Sequence, residues 1–198
     1  MKKTLFSTAM AAVLGFAALA PMGARASDGT ITFNGEITDT TCIVTGGGAA
    51  SGTGNITVTL PTVSVSALPS GQSAGDTDFS LILSGTNCTD GKTAALWIET
   101  TATPALDTAT GALRNLASGG AGNVEVRMVN KVSSLPINLG VNDYVVDGQA
   151  SIAANNQPTA KITGKTATLN YIAQYLAVGG DATAGEVNTY LTYSMQYN

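Results

Sequence analysis

The chain has 198 residues and a net charge of −4, from 9 basic and 13 acidic residues, and it contains no histidine. Its lysines and arginines do not cluster beyond the first residues, so nothing is predicted to attract a phosphate backbone, and nucleic acid is excluded as a partner. Without histidine there is no Ser-His-Asp triad and no imidazole for acid–base work. A secreted β-sandwich enzyme is therefore disfavoured, and we expect neither catalytic residues nor a cofactor.

The first 26 residues have the organisation of a signal peptide. A positive start at residues 2–3 is followed by an uncharged stretch at residues 5–20 and by the small-x-small cleavage pattern Ala24-Arg25-Ala26. The alternative is a membrane anchor, which needs roughly 20 apolar residues, and this stretch is shorter. We predict that residues 1–26 are removed on export and that the mature protein has no stable membrane insertion.

The first element predicted in the mature chain is a strand from Gly29 to Ile37. Apolar or small residues alternate there with Thr, Asn and Glu, and they are Ile31, Phe33, Gly35 and Ile37. Gly35 on the apolar face suits a place where two backbones come close. A terminal strand of this kind can pair within its own domain or add to the sheet of another molecule, and spacing alone leaves both possibilities open.

Two cysteines, Cys42 and Cys88, follow this strand. In an oxidising compartment a single disulfide between them is the expected outcome. Two cysteines without a histidine cannot form a zinc site of the usual kind, so no metal site is predicted. The glycine-rich stretch Gly46 to Gly48 lies between the cysteines and is interpreted as part of a long loop.

Most of the remaining chain has a period of two. Apolar alternation occurs at residues 79–83 and 124–128, and turn-rich pieces separate the runs at residues 45–54, 70–76 and 118–123. The tyrosine-rich run at residues 167–177 is the one segment where periodicity leaves a helix open. Several short strands between Gly, Ser and Asn loops indicate one all-β, antiparallel sandwich.

Three features of this region have both a functional and a structural interpretation. Asp76 and Asp78 could bind a hard cation, but without further carboxylates nearby a solvated loop is favoured. Trp97 could stack on a sugar, but a single tryptophan in an apolar strand is more often part of the core. Asn55 and Asn87 fit the glycosylation pattern, a match that a bacterial origin would make empty.

The C-terminus has the sharpest alternation in the sequence. One face of the predicted strand carries Val187, Thr189, Leu191, Tyr193, Met195 and Tyr197, and the polar face carries the residues between them. A long half-buried strand needs a partner on each edge or some protection of the open edge. The sequence offers no following strand, so a sandwich containing this strand is predicted to lack one neighbour.

Both ends of the mature chain resemble the chaperone–usher pilins of Gram-negative bacteria, particularly type 1-like fimbrial subunits. The resemblance lies in residues 28–42, in residues 79–83 with the cysteine that follows, and in residues 184–198. The last of these includes a glycine fourteenth from the end, Gly185, and a penultimate tyrosine, Tyr197. The region from about 100 to 165 contributes little to it.

The resemblance implies an incomplete immunoglobulin-like antiparallel sandwich that lacks its final strand, with a hydrophobic groove beside the C-terminal strand. A periplasmic chaperone is expected to fill the groove temporarily, and an outer-membrane usher to exchange it for the N-terminal extension of the next subunit. By position, the donor strand is Gly29, Ile31, Phe33, Gly35 and Ile37. The groove and chaperone-recognition strand is Gly185, Val187, Leu191, Tyr193, Met195 and Tyr197.

The resulting expectation is a structural subunit of a surface pilus that supports adhesion. Residues 1–26 are the signal peptide, residues 27–37 the donor extension and residues 38–198 the pilin domain. Identical or related subunits are the expected polymer partners, and the cell surface, reached through the periplasm, is the expected location. The alternative is a minor adaptor or a carbohydrate-binding adhesin of the same pathway, although the mature length leaves no room for a separate receptor-binding domain.

Overall fold

The structure is a computed structural model that describes residues 41–142 and 155–198. The described residues belong to one unit, Thr38–Asn198. Its strands are β1 (Ile43–Gly48), β2 (Ala50–Ser51), β3 (Thr57–Val58), β4 (Ser73–Ser84), β5 (Thr93–Ile98), β6 (Leu106–Asp107), β7 (Ala112–Arg114), β8 (Val124–Asn130), β9 (Leu135–Pro136), β10 (Thr159–Lys161), β11 (Thr166–Ala177) and β12 (Tyr193–Tyr197). Two short 3-10 helices, Val65–Ala67 and Thr100–Ala102, are the only helices in this part of the chain.

The larger sheet is built on its two longest strands. Its order is β1-β4-β11-β8-β7-β6, with β9 added to β8, and every pairing is antiparallel. Between β4 and β11, Leu81 lies opposite Leu169, and the stacked rings of Phe79 and Tyr171 are 5.1 Å apart. Period-two alternation therefore puts large apolar side chains on one face of both central strands.

The second layer is a smaller sheet of order β10-β5-β12. Leu96 and Ile98 of β5 are buried against the large sheet. Trp97 points from the opposite face of β5 and is half-buried, so it is not one of the core residues. The main core fills the space between the layers, and its fully buried members include Leu83, Cys88, Ile98, Leu139, Ile162, Leu169 and Tyr171.

These two antiparallel layers confirm the predicted all-β sandwich. β11 is a strand over the whole of Thr166–Ala177, which resolves the one segment where a helix was left open. No helix in the ranges 41–142 and 155–198 combines the length and apolarity needed to cross a membrane.

The prediction of a loop at Gly46 to Gly48 is wrong, because all three glycines belong to β1. β1 pairs with β4 on one side, and on the other the chain folds back so that Gly46 N–H bonds Gly52 O at 3.0 Å. A Cβ on Gly46 would come within 2.7 Å of the Ser51 nitrogen. Glycine is needed here because the returning backbone lies directly against the strand.

The predicted turn at residues 70–76 is shorter than expected, because β4 begins at Ser73. Asp76 and Asp78 lie in this strand rather than in a loop. The Asp76 carboxylate accepts a hydrogen bond from Gln174 Nε2 at 2.7 Å, and Asp78 forms an ion pair with Lys131 at 2.7 Å. Gln174 in β11 and Lys131, the residue after β8, thus provide a partner for each of these carboxylates.

Candidate functional site: an apolar groove beside the C-terminal strand

The C-terminal strand β12 lies at the edge of the small sheet. It pairs with β5, and no other described strand pairs with it. Asn198 exchanges two backbone hydrogen bonds with Thr93, at 2.6 and 3.0 Å, and Glu99 N–H bonds Thr192 O at 2.9 Å. Because bonding direction alternates along an antiparallel strand, the backbone N–H and C=O groups of Tyr193, Met195 and Tyr197 point toward the opposite edge.

The side chains of the same residues point toward the core. Leu191, Tyr193, Met195 and Tyr197 are half-buried and pack against the main core, whereas the alternating residues from 188 to 194 are exposed. Val187 is also half-buried and packs against a smaller cluster containing Leu68, Ala177 and Ala182. We call Val187, Leu191, Tyr193, Met195 and Tyr197 the C-terminal wall. They are the predicted recognition residues other than Gly185, and they lie along one face as the alternation predicts.

A second row of half-buried apolar side chains was missed in the sequence. Ile56, Val58 and Leu60 pack against the main core, and Val63 packs against the same small cluster as Val187. We call these four residues the N-terminal wall. Ile56, Val58 and Leu60 alternate with Asn55, Thr57 and Thr59, so a period-two signal was present in the sequence.

Two tyrosines of the C-terminal wall reach across to the first residues of the fold. The Tyr193 hydroxyl donates a hydrogen bond to the carbonyl of Gly54 at 2.6 Å, and the Cys42 N–H donates one to the Tyr197 hydroxyl oxygen at 3.2 Å. Burial raises the pKa of both tyrosines above the ordinary value, and the Cys42 N–H opposes this for Tyr197. Both rings are therefore neutral at physiological pH, as an apolar groove requires.

These contacts fix the direction of the two walls. Tyr197 lies near Cys42, Tyr193 lies near Gly54, and Val187 shares a cluster with Val63. The two walls therefore run in opposite directions. At about 3.3 Å per residue, residues 187–197 extend over roughly 33 Å.

The C-terminal wall is not a regular strand over its whole length. The predicted strand covers residues 187–197, but the ladder with β5 begins only at Tyr193. Before that point side chains accept the hydrogen bonds of two wall N–H groups: the Thr192 N–H donates to Thr103 Oγ1 at 3.1 Å and the Asn188 N–H to Asn115 Oδ1 at 2.9 Å. The alternating exposure of residues 187–192 indicates an extended chain there, and no strand in the described part of the chain pairs with it.

Gly185 stands just before this wall, and its position explains why a glycine is needed there. A Cβ on Gly185 would overlap the backbone of Gly120 and would lie 2.9 Å from Ala121 Cα. The next residue, Glu186, accepts a hydrogen bond through its carbonyl from the Ala121 N–H at 2.9 Å. Gly185 thus permits a close backbone approach just before the wall begins.

The predicted disulfide is confirmed. Cys42 and Cys88 are joined, with their Cα atoms 4.4 Å apart. The bond holds the start of β1 beside the end of β4 and places the Cys42 N–H under Tyr197. The predicted donor residues Gly29, Ile31, Phe33, Gly35 and Ile37 lie outside the described residues.

Comparison with known proteins identifies relatives along most of the chain. The family model FimA, described as type-1 fimbrial protein, A, matches residues 60–198. The F17 fimbrial protein of Escherichia coli is 40% identical over 189 residues, covering 93% of this chain and 96% of that protein. The major fimbrial subunit SMF-1 of Stenotrophomonas maltophilia is 37% identical over 187 residues, covering 91% of this chain and 99% of that protein.

Solved structures share the fold at low sequence identity. A subunit of a chaperone–usher pilus is 16% identical, with a TM-score of 0.52, over 87% of this chain and 96% of that one. A Burkholderia pseudomallei antigen and type I fimbria protein is 20% identical, with a TM-score of 0.50, over 79% of this chain and all of the other. These likenesses support the immunoglobulin-like sandwich predicted from the sequence.

Proposed function

The chain belongs to the type-1 fimbrial protein family, and we propose that it polymerises by donor-strand exchange through the groove between its two walls. It is a structural subunit of a fimbrium on the cell surface, as its family membership establishes. Fimbrial subunits have a structural and not an enzymatic role. One observation carries the proposal: no strand within residues 41–142 and 155–198 pairs with the second edge of β12, and the side chains along that edge are only half-buried.

We assign the donor strand to Gly29–Ile37 of a neighbouring subunit. In this assignment its main chain bonds the outward-facing N–H and C=O groups of Tyr193, Met195 and Tyr197, which provides affinity independent of side chains. The side chains of Ile31, Phe33 and Ile37 enter between the walls and complete the apolar core, while Gly35 permits close backbone contact. Nine residues span about 26 Å, which fits within the roughly 33 Å over which residues 187–197 extend.

This assignment divides the chain into three parts. Residues 1–26 direct export and are removed, residues 27–37 are the donor extension, and residues 38–198 are the accepting pilin domain. Partners are then identical or related subunits in a polymer, and adhesion is supported by the fibre as a whole.

We further propose that the groove is occupied before polymerisation by a strand from a periplasmic chaperone, and that an outer-membrane usher catalyses the exchange. The physical reason is that an unpaired strand edge flanked by apolar side chains promotes pairing with any other exposed strand. Temporary occupation keeps the subunit from aggregating until its neighbour arrives. In support, a solved structure with the same fold belongs to a chaperone–usher pilus.

The proposal is tested by deleting residues 27–37 from the mature chain and assaying fibre formation by electron microscopy. The shortened subunit can accept a donor strand but cannot supply one, so we expect no fibres. A synthetic peptide of residues 27–37 should bind this subunit and raise its thermal unfolding midpoint, whereas the same peptide with Ile31 and Phe33 changed to serine should bind far more weakly. Fibres from the shortened subunit, or equal binding of both peptides, would contradict the assignment.

A further inference from the structure

The side chain of Asn115 lies where the C-terminal wall begins. Its Nδ2 donates to the carbonyl oxygen of Ala121 at 2.9 Å and to that of Glu186 at 2.8 Å. Its Oδ1 accepts from the N–H of Ala117 at 3.0 Å and from that of Asn188 at 2.9 Å. An asparagine side chain has two donor hydrogens and two acceptor lone pairs, and all four are used here. Two of these bonds close the loop that begins at Asn115, and the other two, to Glu186 and Asn188, join that loop to the wall.

Backbone contacts support the same junction. Leu116 N–H donates to Asn188 O at 2.8 Å, and Ala121 N–H donates to Glu186 O at 2.9 Å. A Cβ on Gly120 would overlap the Glu186 carbonyl oxygen, so the loop backbone lies directly against the wall. The residues on both sides of Val187 are therefore fixed to the loop, although no strand ladder reaches them.

We propose that Asn115 is a positioning residue for strand insertion, because it holds the backbone on both sides of Val187 in the extended form that an inserted strand must contact. This inference rests on the proposed donor-strand function and assigns that function a residue outside both walls. The ladder with β5 orders the wall from Tyr193 onward, and Asn115 provides the equivalent restraint at the opposite end of the groove.

The physical basis is preorganisation. A wall segment without a restraint would lose conformational freedom when a strand docks on it, and this loss would reduce affinity. A segment that is already fixed does not incur the loss, and the difference appears mainly as slower dissociation. Asparagine suits the position because aspartate lacks the two donors, and its carboxylate would face the carbonyl oxygens of Ala121 and Glu186.

Another asparagine provides a matched control. Asn130 Nδ2 donates to Asn156 O at 3.0 Å, and its Oδ1 accepts from Val132 N–H at 2.9 Å. Like Asn115 it joins a turn to a separate segment through its amide, but it lies at the β8–β9 turn, and its side-chain hydrogen bonds are to Val132, Ser133 and Asn156, which belong to neither wall. A variant at Asn130 loses comparable bonds without affecting the groove.

The test uses the mature full-length subunit and a fluorescent synthetic peptide of residues 27–37 as the probe. For Asn115→Ala we expect peptide dissociation to be about tenfold faster. The substitution removes the two side-chain hydrogen bonds that fix Glu186 and Asn188, and a tenfold change corresponds to the free energy of one or two such bonds. Hydrogen exchange at the amides of Leu116 and Asn188 should accelerate, while amides of residues 193–198 keep their protection. Asn130→Ala should change the dissociation rate less than twofold.

Asn115→Asp serves if the alanine variant does not fold, and it should also accelerate dissociation and local exchange. An unchanged dissociation rate, equal acceleration by Asn130→Ala, or loss of protection across the whole subunit would each overturn the proposal. Failure of the donor-strand assignment gives a different result, because the peptide would then not bind the wild-type subunit at all.

Discussion

The backbone N–H of Cys42 donates a hydrogen bond to the hydroxyl oxygen of Tyr197 at 3.2 Å, across 155 positions of sequence. The disulfide that fixes Cys42 therefore also positions the backbone N–H group that bonds Tyr197 of the C-terminal wall. The second tyrosine of the pair, Tyr193, donates to Gly54 at 2.6 Å. These two hydroxyls connect the C-terminal wall to the chain at Cys42 and at Gly54.

Tyr197→Phe should destabilise the subunit by about 1 kcal/mol, because the Cys42 N–H loses its partner in a partly buried position. The measurement is denaturant unfolding followed by tryptophan fluorescence, with Tyr190→Phe as the control, since Tyr190 is on the exposed face of the same segment. Equal effects of the two changes would show that the Cys42 bond does not contribute.

Replacing both cysteines by serine, Cys42→Ser with Cys88→Ser, should lower the free energy of unfolding by roughly 4 kcal/mol, because the loop that the bond closes is no longer restrained in the unfolded chain. Chemical denaturation of the oxidised wild type and the double variant measures the difference. Thiol titration of the unfolded wild type should detect no free cysteine. A free thiol in that titration would contradict the disulfide, and unfolding at the same denaturant concentration would contradict its stabilising role.

Glu125 predicts a pH dependence of stability. Its side chain is buried beside the β6–β7 hairpin, accepts a hydrogen bond from Thr110 Oγ1 at 2.6 Å, and has Asp107 nearby. Burial, with the neighbouring Asp107 charge, raises its pKa above the ordinary 4.5, against the lowering effect of the Thr110 bond and Arg114.

Because the folded pKa exceeds the unfolded one, the folded state binds the proton more tightly. The stabilisation is fully present below the unfolded pKa and is lost as pH rises through the folded pKa. Glu125→Gln should therefore be no less stable than wild type near neutral pH and should show a smaller loss of stability between mildly acidic and neutral pH. Unfolding curves across this range, with exposed Glu186→Gln as the control, measure the effect. An unchanged pH slope in Glu125→Gln would refute it.

A matched pair of substitutions tests whether the N-terminal wall contacts the donor peptide. Val58→Thr places a hydroxyl on the groove face and should weaken binding of the peptide of residues 27–37 about five- to tenfold, since an unpaired hydroxyl in an apolar contact costs about 1 kcal/mol or more. Thr59→Val makes the reverse change on the exposed face and should leave binding unaltered. Peptide titration by fluorescence anisotropy distinguishes the two, and equal affinities would exclude Val58 from the groove.

Much of the fold and one of the two walls, the C-terminal wall, could be predicted from alternation in the sequence. Alternation correctly identified the face of the C-terminal wall, because successive side chains of an extended segment point to opposite faces whether or not it forms a ladder. The N-terminal wall was overlooked because Ile56, Val58 and Leu60 form a brief run after a glycine-rich stretch. The role of Asn115 has no sequence signal, since its partners come from two segments far apart in the chain.

The glycines of β1 show the opposite case, in which composition indicated a loop and tertiary contacts produced a strand. β4 offers Gly46–Gly48 a full edge to pair with, and the chain folds back over Gly46 so closely that a side chain would not fit. Propensity is a weak guide where a neighbouring strand and a close backbone approach both favour extended structure.

The pairing of β5 with β12 has a kinetic consequence. Residues 94–98 form a ladder with residues 193–197, so the small sheet depends on contacts between distant parts of the chain. Proteins dominated by such non-local contacts fold slowly, because the entropy of loop closure opposes each pairing before the contacts form. During that search the apolar face of β5 stays exposed to solvent and to other chains. The subunit is thus at risk of aggregation at two stages. The apolar face of β5 is exposed while the subunit folds, and the proposed groove beside β12 is exposed afterwards.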